Sequence, residues 1–238
     1  MQRVHSGYTA VALTILGLCL LAQPAAAQIG KPYSINIFAG FGLPVGDFAS
    51  TTASSANDFL NASGNTPGFA QLGFSGGVEY TLRLLSPYEI GLLGNISING
   101  TDEGALRHIS SDISSNTTSG SWYLYSVLLS GGVTKDFTPE LGLHGRVYVG
   151  FTGGSSAEFS FYNLNGSGSY IIQKSTFAST FGYGVGAGAT VNNMWDINIR
   201  FLMSNPEFTT NWTDGRQIID KKFTQPAGML TLTLGLVL

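Results

Sequence analysis

The sequence is short of cysteine, histidine and charge: it has one cysteine, Cys19, and three histidines. Cys19 lies in an N-terminal segment that we expect to be removed, so the mature chain has no thiol for a disulfide, a thiolate metal site or a cysteine nucleophile. Charged residues are 11% of the chain, about half their usual share in globular proteins. After residue 27 there is no apolar run long enough for a transmembrane helix. These shortages disfavour both an ordinary soluble domain and a helical membrane protein.

The N-terminal segment has the three parts of a secretory signal peptide. Arg3 supplies the positive charge, Val11–Ala22 is a short apolar region, and the residues up to Ala27 form a small-residue cleavage site. We expect export through the Sec pathway and cleavage after Ala27. Residues 28–238 then make one domain.

The mature chain is mildly acidic and rich in glycine. It has 10 Lys and Arg against 14 Asp and Glu, a net charge of −4, because Arg3 is the only charge removed. Without a basic patch, nucleic acid is not an expected partner. The 32 glycines of the chain are about twice the average usage.

Eight segments alternate large apolar residues with small or polar ones, which is the period of a β-strand. One face of each segment carries Leu, Ile, Val, Phe or Tyr and no charge; the other carries mostly Gly, Ser, Thr and Asn. Small polar residues suit the crowded interior of a narrow barrel, and the apolar faces suit lipid. A soluble lipocalin-like binder with the faces inverted is the alternative. The predicted strands are 33–41, 72–82, 88–98, 122–133, 141–151, 177–191, 195–203 and 228–238.

The connections between these segments alternate long and short. Residues 84–87, 136–139 and 192–194 form the short ones, and four connections of more than twenty residues lie between them. Outer-membrane barrels have short periplasmic turns and long extracellular loops. The pattern predicts an all-β, closed, antiparallel up-and-down transmembrane β-barrel of eight strands. We also expect the strands 141–151 and 177–191 to continue past the membrane into a protruding hairpin in the third long connection. An interfacial aromatic girdle should include Trp122.

The chain resembles the eight-stranded outer-membrane β-barrel family, OmpA/OmpX-like, in its porin-like barrel-domain form. The resemblance rests on FAGFGLPVGDF at 38–48, GGVEY at 76–80, YGVGAG at 183–188 and the terminal strand, and it covers 28–238. It implies a cell outer membrane location, contact with outer-membrane lipid and lipopolysaccharide, and insertion by the barrel-assembly machinery. The family's terminal strand usually ends in an aromatic residue, whereas this one ends in Leu238.

Seven charged or titratable residues fall on the predicted inward faces. Because an unpaired buried charge is costly, their mixed signs predict a structural network of ion pairs that fills the lumen. The alternative is a proton or ion path. The candidates are Glu79, Arg83, Glu89, His144, Arg146, Asp196 and Arg200.

No catalytic or metal-binding pattern stands out. His108 and Ser110 resemble the His-x-Ser of outer-membrane lipid A deacylases, in which His activates Ser. They lie in a predicted loop, however, and no Glu or Asp follows at a comparable strand position. Only His108 and His144 remain after cleavage, so we expect no metal site and no cofactor.

The sequence therefore predicts a non-enzymatic outer-membrane barrel with a structural or adhesive role through its extracellular loops. A narrow porin-like channel for small solutes and, further off, a lipid-modifying enzyme are the alternatives. Four loop aromatics are candidate contacts for a surface ligand, unless the loops pack on one another. These are Phe159, Phe161, Phe208 and Trp212.

Overall fold

The computed structural model describes residues 32–51, 67–109, 116–164, 169–213 and 218–238. The predicted signal peptide, residues 1–27, lies outside them. A 3-10 turn, Gly46–Phe48, follows the first strand, and a short helix, α1, spans Glu103–Ile109. The strands of the described part are β1 Tyr33–Val45, β2 Ala70–Arg83, β3 Tyr88–Thr101, β4 Asn116–Ser119, β5 Trp122–Thr138, β6 Leu141–Ser155, β7 Phe159–Leu164, β8 Ser169–Gln173, β9 Phe177–Val191, β10 Trp195–Ser204, β11 Glu207–Thr213, β12 Ile218–Thr224 and β13 Ala227–Val237.

Eight of these strands form a closed antiparallel barrel in the order β1-β13-β10-β9-β6-β5-β3-β2. Barrel strands that are consecutive along the chain pair with one another, and the last strand, β13, pairs with β1, which closes the sheet. Each barrel strand begins within two residues of its predicted start. The predicted eight-stranded barrel is confirmed.

The short connections lie together at one end of the barrel, which we name the turn end; the opposite end is the loop end. The second short connection is tighter than predicted, because β5 continues through Thr138 and leaves residues 139–140 as the turn. In the third, Asn192 and Asn193 have φ values of 53° and 52°. Two successive residues in the left-handed backbone conformation form a tight hairpin turn whose twist matches that of the flanking strands. Asparagine tolerates this conformation.

The polar faces of the strands point into the barrel and the apolar faces point out. On β13, Thr231 and Thr233 are each 2% exposed, whereas Leu232 and Leu234 are each 52% exposed. Among the described outward positions of the barrel strands, Lys135 is the one charged residue, and it lies near the turn end. A soluble barrel would have the opposite arrangement, so the inverted lipocalin-like alternative is wrong. The outer surface is that of a barrel embedded in lipid.

A second, smaller sheet stands at the loop end, in the strand order β12-β11-β8-β7-β4. We name it the apical sheet. Its β7–β8 hairpin confirms the hairpin expected in the third long connection. The expected continuation of the barrel strands into it is wrong, because residues 156–158 and 174–176 separate it from β6 and β9 and it belongs to the second sheet. Strands β11 and β12 come from the fourth long connection, and β4 from the second. No helix within the described residues has the length and hydrophobicity needed to cross a bilayer.

Apolar side chains beneath the apical sheet form a core that we name the apical core. Trp122 belongs to it at 1% exposure, so its predicted place in the interfacial girdle is wrong. Its ring meets Phe48 and Phe208 edge-on at centroid distances of 5.4 and 5.8 Å, and its indole N–H donates to Gly68 O at 2.8 Å. The core contains Phe48, Phe69, Ala70, Leu106, Trp122, Ala157, Phe159, Ala178, Phe208, Phe223, Ala227 and Met229.

Candidate functional site

The lumen of the turn-end half is filled by a polar network centred on Glu79. This residue of β2 is 0% exposed. Its Oε2 accepts hydrogen bonds from Arg200 Nη2 at 2.9 Å and from Arg146 Nη1 at 3.2 Å, and its Oε1 accepts one from Tyr148 OH at 3.1 Å. One carboxylate therefore joins strands β2, β6 and β10 across the lumen.

The network continues from Arg146 to a second carboxylate. Arg146 Nε donates to Glu89 Oε1 at 2.5 Å, and Thr134 Oγ1 donates to Glu89 Oε2 at 2.7 Å. The order Arg200, Glu79, Arg146, Glu89 alternates in charge. Each carboxylate has its opposite charge at hydrogen-bond distance, which is the condition under which buried ions are tolerated.

Closer to the turn end, Asp196 gathers a second polar cluster. Its Oδ2 accepts hydrogen bonds from Asn36 Nδ2 at 2.7 Å and from Asn198 Nδ2 at 2.6 Å. Its Oδ1 accepts one from Thr190 Oγ1 at 3.3 Å and lies 3.6 Å from His144 Nε2. His144 Nε2 is also 2.9 Å from Asn198 Nδ2. These contacts place His144 against Asp196 and Asn198 inside the barrel.

An apolar layer lies directly above the ion network, towards the loop end. Its members are buried, and they come from five different barrel strands. With the apical core above it and the polar network below it, side chains occupy the lumen at three successive levels. The layer consists of Phe38, Leu93, Leu128, Tyr148 and Leu202.

The structure brings six of the seven predicted inward residues together in the lumen. Arg83 does not lie with them: its side chain is 53% exposed at the turn end and pairs with Asp136 at 3.4 Å. The reason is that β2 ends at Arg83, where the barrel opens to solvent. The sequence prediction missed the uncharged partners of the network, which alternation alone placed inside. On the predicted inward faces these are Asn36, Tyr148, Thr190, Asn198 and Thr233. Thr134 is a further partner, and it lies one residue beyond the predicted end of its strand.

Two of the four candidate loop contacts are buried. Phe159 is 2% exposed and Phe208 is 0% exposed, both inside the apical core. The loops therefore pack on one another at these two positions, which was the stated alternative, and a surface ligand cannot reach the two rings. Phe161 lies on β7 and Trp212 on β11, and both side chains are outside the described part of the chain.

The remaining sequence candidates are His108 and Ser110, the possible nucleophile pair. His108 lies in α1 with its side chain outside the described part, and Ser110 is outside the described residues altogether. Among the residues that the structure covers, no group of three or more His, Cys, Asp or Glu side chains is arranged to hold a metal ion.

Comparison with known proteins finds likeness in fold but not in sequence. No family model matches the chain, and no curated protein sequence matches it. Ail, the attachment invasion locus protein of Yersinia pestis, is 14% identical, with 87% of this chain and 100% of that chain covered and a TM-score of 0.47. OprG from Pseudomonas aeruginosa is 10% identical, with 87% and 97% covered and a TM-score of 0.43. AlkL, solved in lipid bilayers, is 17% identical, with 91% and 94% covered and a TM-score of 0.40.

These solved structures are eight-stranded outer-membrane β-barrels. At such identities and TM-scores they are alike in general architecture only. The chain's own closed eight-stranded barrel, with a polar interior and an apolar exterior, is the architecture of an outer-membrane protein.

Proposed function

We propose that the protein is a non-conducting, non-enzymatic outer-membrane barrel that acts at the cell surface through its apical sheet. The observation that supports this is the filling of the lumen by the ion network, the apolar layer and the apical core. An eight-stranded barrel has an interior only just wide enough for side chains. A solute therefore has no path through it, and recognition falls to the loop end.

Electrical recording tests the closed lumen. The purified protein, folded in detergent and added to a planar bilayer, should give no discrete conductance steps. The same preparation from cells without the gene controls for contaminating porins. Steps that appear only with the protein would contradict the proposal and favour the narrow-channel alternative.

The adhesive part is tested by display on bacteria that lack the protein. Cells carrying it should attach to plates coated with extracellular-matrix protein more strongly than empty cells. The variant Phe208→Ala/Phe223→Ala removes two rings stacked at 5.3 Å in the apical core. It should lose attachment at equal surface amounts, because it disorganises the apical sheet and leaves the barrel wall untouched. If the unaltered protein does not raise attachment, the role is structural rather than adhesive.

Export and location form part of the same proposal. Outer-membrane lipid, including lipopolysaccharide, covers the apolar wall, and the barrel-assembly machinery inserts the chain after Sec export. Mass spectrometry of the outer-membrane fraction should find a protein that begins at Gln28. A chain that keeps residues 1–27, or one found in the soluble fraction, would contradict this.

The absence of enzymatic activity is tested on lipid A. The lipid A profile of a strain that overproduces the protein should equal that of a strain with His108→Ala/Ser110→Ala. A modified species that needs His108 or Ser110 would make the protein a lipid-modifying enzyme.

A further inference from the structure

The barrel closes at one seam, where the first strand, β1, pairs with the last, β13. Ten residue pairs form this seam, from 36 with 237 to 45 with 228. The other neighbouring barrel strands follow one another along the chain, whereas β1 and β13 lie at opposite ends of the sequence. The seam therefore carries the largest loop-closure entropy in the barrel.

Arg200 reaches across this seam from the inside. It lies on β10, next to β13, and its Nη1 donates to Thr233 Oγ1 of β13 at 3.1 Å. Its guanidinium carbon lies 4.3 Å from the ring centre of Phe38 on β1. Its Nη2 pairs with Glu79 of β2 at 2.9 Å. One side chain thus contacts β13, β1 and β2 together.

A second contact crosses the seam nearer the turn end. Asn36 of β1 donates through Nδ2 to Asp196 Oδ2 of β10 at 2.7 Å, across the intervening β13. The Asn36 amide lies over Gly235 of β13, where an added Cβ would collide with Asn36 Oδ1. Glycine at this position therefore allows the amide to pass over the last strand.

Arg146 offers a contrast within the same network. It pairs with Glu79 and Glu89, so it joins β6 to β2 and β3, strands that are connected through β5 on the side of the barrel away from the seam. Both arginines bind the same oxygen, Glu79 Oε2. Only Arg200 bridges the first and last strands.

We propose that the Arg200–Glu79 and Asp196–Asn36 contacts are seam bridges, a conformational device that holds the closed barrel against lateral opening. Each joins strands on opposite sides of the seam and forms only when β1 lies beside β13. The seam bridges therefore stabilise closure itself, in addition to the backbone hydrogen bonds of the seam, whereas Arg146 stabilises the barrel without selecting the seam. This inference is independent of any role of the apical sheet.

Amide hydrogen exchange of the refolded protein in detergent micelles tests the proposal. We compare Arg200→Gln with Arg146→Gln, which each remove an arginine from Glu79. Arg200→Gln should raise exchange in β1 and β13 about tenfold relative to β5 and β6, because local opening sets the exchange rate. Arg146→Gln should not raise that ratio, because Arg146 lies on β6 and its ion pairs do not cross the seam. Equal ratios in the two variants would overturn the proposal.

If Arg200→Gln does not fold, a second pair of variants tests the proposal. Gly235→Ala should displace Asn36 and speed exchange at the seam, whereas Gly131→Ala should not, since an added Cβ there meets nothing within 4 Å. The substitutions Ile37→Cys and Leu236→Cys, at positions that pair across the seam, then supply a rescue. Their disulfide should return seam exchange in Gly235→Ala to the rate of the cross-linked parent. Seam exchange that is unchanged in Gly235→Ala would overturn the proposal.

Discussion

Replacement of Glu79 by glutamine gives the sharpest test of the lumenal network. Glu79 is 0% exposed and binds Arg200 and Arg146 through the same oxygen. Glutamine has nearly the same shape but carries no charge. Arg146 would keep Glu89 as an ionic partner. Arg200 would lose its ionic partner and keep the Thr233 and Tyr148 hydroxyls and the Phe38 ring.

The magnitude follows from the burial of these groups. Removal of one partner of a buried ion pair costs about 3–5 kcal/mol, because the remaining charge stays desolvated without compensation. Arg200 is 2% exposed, so we expect Glu79→Gln to lower the free energy of unfolding by about 3 kcal/mol, at the lower end of that range because the hydroxyl bonds remain. The exposed pair of Arg83 and Asp136 provides the matched control. Asp136→Asn makes the same chemical change in a pair whose side chains are 53% and 58% exposed, and it should cost at most about 1 kcal/mol.

The assay is equilibrium unfolding in urea, with the protein folded in lipid vesicles and monitored by tryptophan fluorescence and by gel migration without boiling. The folded barrel should migrate faster than the boiled chain, and the urea midpoint should fall far more in Glu79→Gln than in Asp136→Asn. Equal losses in the two variants would refute the reasoning, since they would mean that the lumen is as well solvated as the rim.

Two further outcomes test the apical core and the lipid-facing wall. Trp122→Ala should lower the free energy of unfolding by about 3–5 kcal/mol, as expected for a buried aromatic ring. It should speed proteolysis at the loop end, while the unboiled protein keeps its fast gel migration. Loss of that migration would mean that the apical core holds the barrel closed. Leu129 is 64% exposed in the middle of β5. Leu129→Arg should therefore lower the free energy of unfolding in lipid by about 2–4 kcal/mol, whereas Leu85→Arg, in a turn-end connection, should lower it by about 0–1 kcal/mol. Equal urea midpoints for the two arginine variants would contradict a lipid-embedded wall.

The barrel strands could be predicted because each has one face of large apolar residues and one of small polar residues. Strand β9 was predicted at the observed bounds, 177–191. Strand β5 was predicted to end five residues early, because the residues after Val133 are polar and Asp136 and Pro139 are typical of turns. In the structure Asp136 still pairs with Gly142. Backbone pairing continues past the lipid-facing part of a strand, where the apolar alternation no longer marks it.

The apical sheet could not be predicted in the same way. Its strands β4, β8 and β11 come from three different connections, and they meet through pairings that no local pattern encodes. The position of Trp122 was predictable in principle, since it shares the inward parity of Leu124 and Ser126 and is opposite in parity to Tyr123. The girdle prediction rests on its position at a strand end, which is the weaker of the two signals.

For the lumen, sequence predicted which side chains point inwards but not which ones meet. The alternation of apolar and polar residues along each strand places Glu79, Arg146 and Arg200 inside the barrel, and this does not depend on the register between neighbouring strands. The shear of the barrel then decides that Arg200 crosses two strands to reach Glu79. Partner choice is therefore a property of barrel closure, and the hydroxyl and amide partners could not be separated from other small polar residues of the inward faces.

The distribution of charge supports the proposal that recognition takes place at the loop end. Within the described lumen, Arg146 and Arg200 are paired with Glu79 and Glu89, and Asp196 accepts hydrogen bonds from amide and hydroxyl groups. The described outer wall carries only Lys135, near the turn end. Exposed charges at the loop end, such as Glu158, Lys174 and Lys222, lie outside the apical core. A change at one of them leaves the lumen and the wall intact, and an exposed ion pair contributes at most about 1 kcal/mol. The apical sheet can therefore vary its surface chemistry at little cost in stability, whereas the barrel beneath it cannot.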